Sequence, residues 1–253
     1  MFKSIFIFLS FVVTALYVSA QQDTSIITTE GNVNDSVLVK LNHTIITNPA
    51  FDDYFKRGVM FYELGDFAGA ARNFSNALEL DSNNIAAHLY RGNAKFNFGD
   101  RDFAFTEFNK VLELDPNNAE AYNKLGMIYR IMGNYEDALT HYNNAISILP
   151  EYAEAYNNRG LANFYLDNDV DAINDFNKSI ELNSSIGSFY VNRAKYYEFA
   201  EEFPRACEDW NKAAEFKIKE VSTKISKFCN KATETVKEAT DSNQKEEETP
   251  KPE

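Results

Sequence analysis

A fixed 34-residue period constrains this chain more than any other feature. Gly58, Gly92, Gly126 and Gly160 stand 34 residues apart, and Ala194 continues the series. Twelve residues after each comes an alanine: Ala70, Ala104, Ala138, Ala172 and Ala206. Four further on comes an aromatic: Phe74, Phe108, Tyr142, Phe176 and Trp210. Three beyond that stand Ala77, Val111, Ala145, Ser179 and Ala213. Four columns in register over five copies exclude coincidence. Such a period means one small supersecondary unit stacked on itself. One unit does not bury its apolar face alone, so stability must come from its neighbours.

The spacing within a unit is helical. An alanine and an aromatic four residues apart share one helical face. Glycine or alanine on a first helix and alanine on a second let the two approach closely. The aromatics are expected to fill the gap between one hairpin and the next. Gly65, Gly99 and Gly133 fall in the turn between helices, where glycine tolerates positive φ. The run Asp115-Pro116-Asn117-Asn118 ends one unit: proline stops a helix and asparagine caps the next.

Period and columns together resemble the tetratricopeptide repeat family. The family's first aromatic falls on Tyr54, His88, Tyr122, Tyr156 and Tyr190. Its second falls on Phe61, Tyr129 and Tyr197, while Lys95 and Asn163 depart. Its proline matches Pro116 and Pro150; Ser82, Ser184 and Ile218 replace it elsewhere. Leu125 keeps the leucine before the glycine, where the other copies have Arg57, Arg91, Arg159 and Arg193. The resemblance implies an all-α fold, a right-handed α-solenoid of five tandem helix-turn-helix units. Their bounds are 51–84, 85–118, 119–152, 153–186 and 187–220.

The flanks differ in character. Residues 1–20 resemble a secretory signal peptide: Lys3, an apolar run from Ile5 to Val18, then Val18-Ser19-Ala20. Export to a periplasm or the exterior is therefore expected, with no membrane span after cleavage. Residues 21–50 are rich in Thr, Asn, Ser and Val and read as a flexible polar linker, or as short strands at Ser36–Leu41 and His43–Thr47 on a partner. Residues 221–239 read as a capping helix with the stripe Val221, Ile225, Phe228, Ala232 and Val236. Residues 240–253 read as a disordered charged tail. Cys207 lies in the last repeat and Cys229 in the cap. In an oxidising compartment they either form a staple or remain two free thiols.

Chemistry is sparse. With 38 acidic and 25 basic residues the net charge is -13, which argues against a nucleic-acid partner. His43, His88 and His141 have no partner at metal or triad spacing, and His88 stands at a core position. No phosphate loop or nucleophile elbow occurs. Neither metal nor cofactor is expected, and the chain does not read as an enzyme.

The resemblance implies a concave surface lined by first helices. The positions carried over for binding are Phe55, Val59, Tyr62, Leu89, Asn93, Phe96, Asn123, Met127, Arg130, Asn157, Leu161, Phe164, Tyr165, Lys195 and Phe199. This lining suits an extended peptide or an amphipathic helix of a protein partner. Asn123 and Asn157 are placed to bond a peptide backbone. The family's basic clamp for a chaperone carboxylate is missing: Phe55, Val59, Tyr90, Glu120 and Lys124 stand there. The leading expectation is an exported protein-interaction adapter. The alternatives are an oligomerising subunit of an envelope assembly and an enzyme accessory or unrecognised hydrolase.

Overall fold

The computed structural model describes residues 33–229, and among these every regular element is a helix. The expected signal segment, the charged tail and residues 230–239 of the expected cap lie outside the described residues. The chain forms two compact units, one up to Ala121 and one from Tyr122. The first holds α1 (Val33–Thr47), the hairpin α2 (Phe51–Glu63) and α3 (Phe67–Leu80), and the hairpin α4 (Ile85–Phe98) and α5 (Arg101–Leu114). The second begins within α6 (Ala119–Ile131), which pairs with α7 (Tyr135–Ile148). It continues with α8 (Ala153–Tyr165) and α9 (Asp169–Leu182), then α10 (Gly187–Phe199) and α11 (Phe203–Glu215). A short α12 (Val221–Lys224) runs into a π-helical turn at Ile225–Cys229.

The glycine and aromatic columns meet inside each hairpin. A methyl group added to Gly126 would lie 2.6 Å from Tyr142 Cε1. Gly58, Gly92 and Gly160 would meet Phe74, Phe108 and Phe176 at 2.7, 2.7 and 2.9 Å. The aromatic thus wedges its own hairpin first, which refines the expectation that it fills the gap between hairpins. Phe74 does both, because its ring also lies 5.5 Å from that of Tyr90 in the next hairpin. Phe74, Phe108, Tyr142 and Phe176 are wholly buried.

Helix ends follow local chemistry. Asp66, Asn84, Asp100 and Asn118 accept hydrogen bonds from Gly69, Ala87, Phe103 and Ala121 backbone N–H groups. Gly65, Gly99 and Gly133 turn the chain with φ of 79, 98 and 83°. The same turn in the last two hairpins is made by Asp167 and Glu201 at φ of 57 and 59°.

Helix α1 corrects the reading of Val33–Thr47 as linker or strands; the remainder of that stretch before Val33 lies outside the described residues. Leu38, Leu41 and Ile45 form one helical stripe and are 2, 8 and 5% exposed. Ile45 packs with Tyr54 and Ala77 of the first hairpin. Thr44 and Thr47 donate their hydroxyls to the carbonyls of Lys40 and His43. Weak helix propensity is overridden here by tertiary burial. The stripe is out of register with the repeat, since Ser36, Lys40 and His43, one period before Ala70, Phe74 and Ala77, are exposed.

At the other end, a disulfide joins Cys207 of α11 to Cys229, with Cα atoms 5.6 Å apart. Phe228 stacks on Trp210 and Phe203 at 5.5 and 5.2 Å. Lys224 donates to both carboxylate oxygens of Glu198 at 2.7 Å. Among the described residues no helix is long and apolar enough to cross a membrane.

Candidate functional site

First helices present the candidate surface, and a polar framework sets their orientation. Arg193 donates through Nε and Nη2 to Asp209 on its own second helix, both at 2.7 Å, and through Nη1 to Asn177 on the preceding second helix at 2.7 Å. Arg91 does the same with Glu107 at 2.9 and 2.8 Å and Ser75 at 3.1 Å. Arg57 donates to Asn73 at 2.6 Å and to Asn42 of α1 at 2.7 Å. One guanidinium thereby links three helices, using a planar fork suited to two-point bonding. Leu125 replaces the arginine in its hairpin, and the facing position holds His141, which packs on Tyr129 and Tyr122.

A second ladder joins successive first helices. Asn158 donates to Asn123 Oδ1 at 3.0 Å, and Asn192 donates to Asn157 Oδ1 at 3.0 Å. Asn123 also donates to the Tyr152 hydroxyl at 3.2 Å. Asn123 and Asn157 are buried, at 3 and 6% exposure. The structure therefore turns these two amides to neighbouring helices rather than to an open surface. Asn93 is likewise buried; its Nδ2 donates to Glu120, and its Oδ1 has no hydrogen-bond partner.

In the first unit the carried-over positions are mostly half-buried. Phe55 packs against Phe51, Phe74 and Tyr90 at 5.5–5.6 Å between ring centres. Tyr62 lies edge-on to Phe67 and Tyr90, and its hydroxyl accepts from Asn97 at 2.7 Å. Burial raises the Tyr62 hydroxyl pKa, against the pull of the Asn97 bond. Val59 and Phe55 line an apolar cleft of about 330 Å³ with Val37, Leu41, Lys56 and Met60. Leu89 and Phe96 are half-buried.

The second unit is more open. Tyr165 and Phe199 are 52 and 65% exposed. Phe164 joins them, with ring centres 5.7 Å from Tyr165 and 5.2 Å from Phe199. Tyr135 stacks on Tyr165 at 5.0 Å, and Tyr196 lies edge-on to Phe164 at 6.1 Å. Lys195 is exposed and Leu161 half-buried. Met127 packs beside Tyr142 and Ala162. Burial pushes the Tyr142 hydroxyl up to about 12, with Arg130 acting against the shift. Neither Tyr142 Oη nor Arg130 Nε has a hydrogen-bond partner.

Residue selection from the sequence missed Tyr90, Tyr135 and Tyr196, which complete these aromatic clusters. Tyr90 and Tyr196 stand alone as aromatics in their columns, whereas Tyr135 shares its column with Phe67 and Phe203, a signal at the start of the second helix that the choice of first-helix positions passed over. His88 is 6% exposed and bonds Glu107 and the Ser82 carbonyl. Among the described residues no cluster of His, Cys, Asp or Glu is placed to hold a metal ion.

Comparison with known proteins agrees with the helical repeat. Models described as TPR repeat match residues 58–99 and 126–167, and one described as tetratricopeptide repeat matches 107–140. A tetratricopeptide repeat protein from Parabacteroides merdae ATCC 43184 superposes with a TM-score of 0.64 at 21% identity, covering 85% of this chain and 82% of that one. MamA superposes with a TM-score of 0.52 at 26% identity, covering 70 and 94%. YrrB, described as a TPR protein with an unusual peptide-binding site, gives 0.52 at 20% identity, covering 74 and 97%. No curated protein sequence matches the chain significantly.

Proposed function

Because the chain belongs to the tetratricopeptide repeat family, we propose that it is an exported adapter that holds a segment of a partner protein on its first helices. The fold itself suits protein–protein interaction rather than catalysis. One observation carries the choice of surface. Tyr165 and Phe199 stay more than half exposed on consecutive first helices, at positions inherited from the family's groove. Large aromatics left in water at adjoining positions mark a contact site. YrrB, a protein of the same fold, is described with a peptide-binding site, which supports a peptide as occupant by analogy of fold.

Export is supported by Lys3, the apolar run and the small residues at Val18-Ser19-Ala20. The Cys207–Cys229 bond fits an oxidising compartment. Crosslinked pull-down from the native envelope or culture medium tests the adapter reading. Wild type is expected to retain a partner that Tyr62→Ala, Phe96→Ala and Phe164→Ala together release. Capture surviving in the folded triple variant places binding elsewhere. N-terminal sequencing of the exported protein should begin at Gln21.

A further inference from the structure

The last two repeats differ from the first three in two columns at once. At the end of the first helix the residues are Glu63, Asn97 and Ile131, then Tyr165 and Phe199. Two positions later they are Gly65, Gly99 and Gly133, then Asp167 and Glu201. All five of the latter sit at positive φ, from 57 to 98°. Glycine adopts that conformation freely, whereas a side chain is crowded there, and aspartate fares better than glutamate. The two acids therefore stand against a backbone penalty, each two residues after an exposed ring in the chain. Strain of this kind points to a use for the side chain.

Neither carboxylate has an ion pair or hydrogen bond among the described residues, and both side chains are exposed. Further negative charge lies close by. Asp169 and Glu202 act on Tyr196, whose hydroxyl is raised by burial first and by these two acids next. Glu198 is already matched by Lys224 and Glu202 by Arg205. Lys195 is the one basic residue among the carried-over positions of these two repeats. The ledge thus offers ring faces and unmatched carboxylates together.

We propose that Tyr165, Phe199, Asp167 and Glu201 form a receptor for an arginine-bearing segment of a partner protein. A guanidinium lies flat on an aromatic face while its N–H groups reach a neighbouring carboxylate. Arginine suits this better than lysine, being planar, weakly hydrated and able to bond at two points. The assignment rests on the adapter reading above and names the chemistry of its partner.

The test uses the mature full chain and fluorescein-labelled nona-arginine, nona-lysine and nona-glutamate peptides. Binding is read by anisotropy in about 150 mM salt, where long-range attraction is screened beyond roughly 8 Å. Nona-arginine is expected to bind tighter than nona-lysine. Tyr165→Ala with Phe199→Ala, and separately Asp167→Gly with Glu201→Gly, should each weaken it by roughly tenfold. The glycine pair should unfold at an equal or higher urea concentration than wild type, so its loss of binding is not loss of fold. A charge-matched control, Glu79→Gln with Glu151→Gln, should stay within about twofold of wild type. Equal loss in the control and the site variants would overturn the receptor in favour of general charge attraction. Unchanged binding in the site variants would overturn it too. If nona-glutamate binds instead and needs the two rings, the arginine assignment fails while the adapter surface stands. Should ring removal leave the native partner bound as well, the adapter surface itself falls.

Discussion

Arg159 holds Asp175 at two points, Nε to Oδ2 at 2.9 Å and Nη2 to Oδ1 at 2.7 Å. Its third arm, Nη1, reaches Asn143 on the preceding helix at 2.7 Å. The bond to Asp175 raises the guanidinium pKa further, so Arg159 stays charged throughout the working range. Asp175 is 5% exposed, and its carboxylate relies on that guanidinium and on the Asn163 amide, which donates to Oδ2 at 3.1 Å.

Removing the arginine alone should therefore be expensive. Arg159→Leu is expected to cost about 3–5 kcal/mol, because a buried carboxylate loses its counter-charge. The pair Leu125 and His141 shows that this chain also fills the same two positions without an arginine–carboxylate pair. Arg159→Leu with Asp175→His should recover at least about 1 kcal/mol of that loss. Urea unfolding of both variants decides it; a double variant no better than the single one refutes the coupling.

The hairpin wedge gives a second expectation. Phe108 is 0% exposed, and Phe108→Ala should cost about 3–5 kcal/mol as a core truncation. Gly126→Leu should cost about 1–3 kcal/mol or more, since even its first carbon would collide with the Tyr142 ring. Neutral values in thermal or urea denaturation would mean that the glycine and aromatic columns do not meet.

Tyr142 gives a pH dependence. Its folded pKa of about 12 lies above the ordinary 10.0. The unfolded chain therefore loses this proton first, and stability falls as pH rises from about 10 toward 12. A two-unit shift corresponds to about 3 kcal/mol at most. Tyr142→Phe should flatten this loss. At pH 7 it should change stability by no more than about 1 kcal/mol, because the buried hydroxyl faces only the Arg130 guanidinium and completes no close hydrogen bond. Equal alkaline unfolding in both proteins would contradict the assignment.

The disulfide closes 22 residues at the C-terminal end. Reduction should lower stability by about 3 kcal/mol on loop-closure grounds. Trp210 is the only tryptophan in the chain and packs on Phe228, so its fluorescence reports that end. Titration should find no thiol before reduction and two after. Two thiols in the untreated protein would show that the bond does not form.

The helical hairpins were legible in the sequence because four columns repeat at one period, and small residues facing aromatics allow one close packing. The turn glycines were legible for the same reason. Helix α1 was not, because its stripe of Leu38, Leu41 and Ile45 is short and set among β-branched and polar residues. Only burial against the first hairpin makes it a helix.

The candidate surface was legible as a set of positions and not as a set of available groups. Asn123 and Asn157 stood at plausible binding positions, yet their amides bond the next first helix one period and one residue away. Tyr165 and Phe199 stood in the same set and remain open. Periodicity along the chain encodes the repeat and its hairpins, and it carries the resemblance to the family. Tertiary structure alone decided which polar groups are satisfied within the array and which rings stay exposed. That depends on distances between helices, and no spacing within a single helix encodes them.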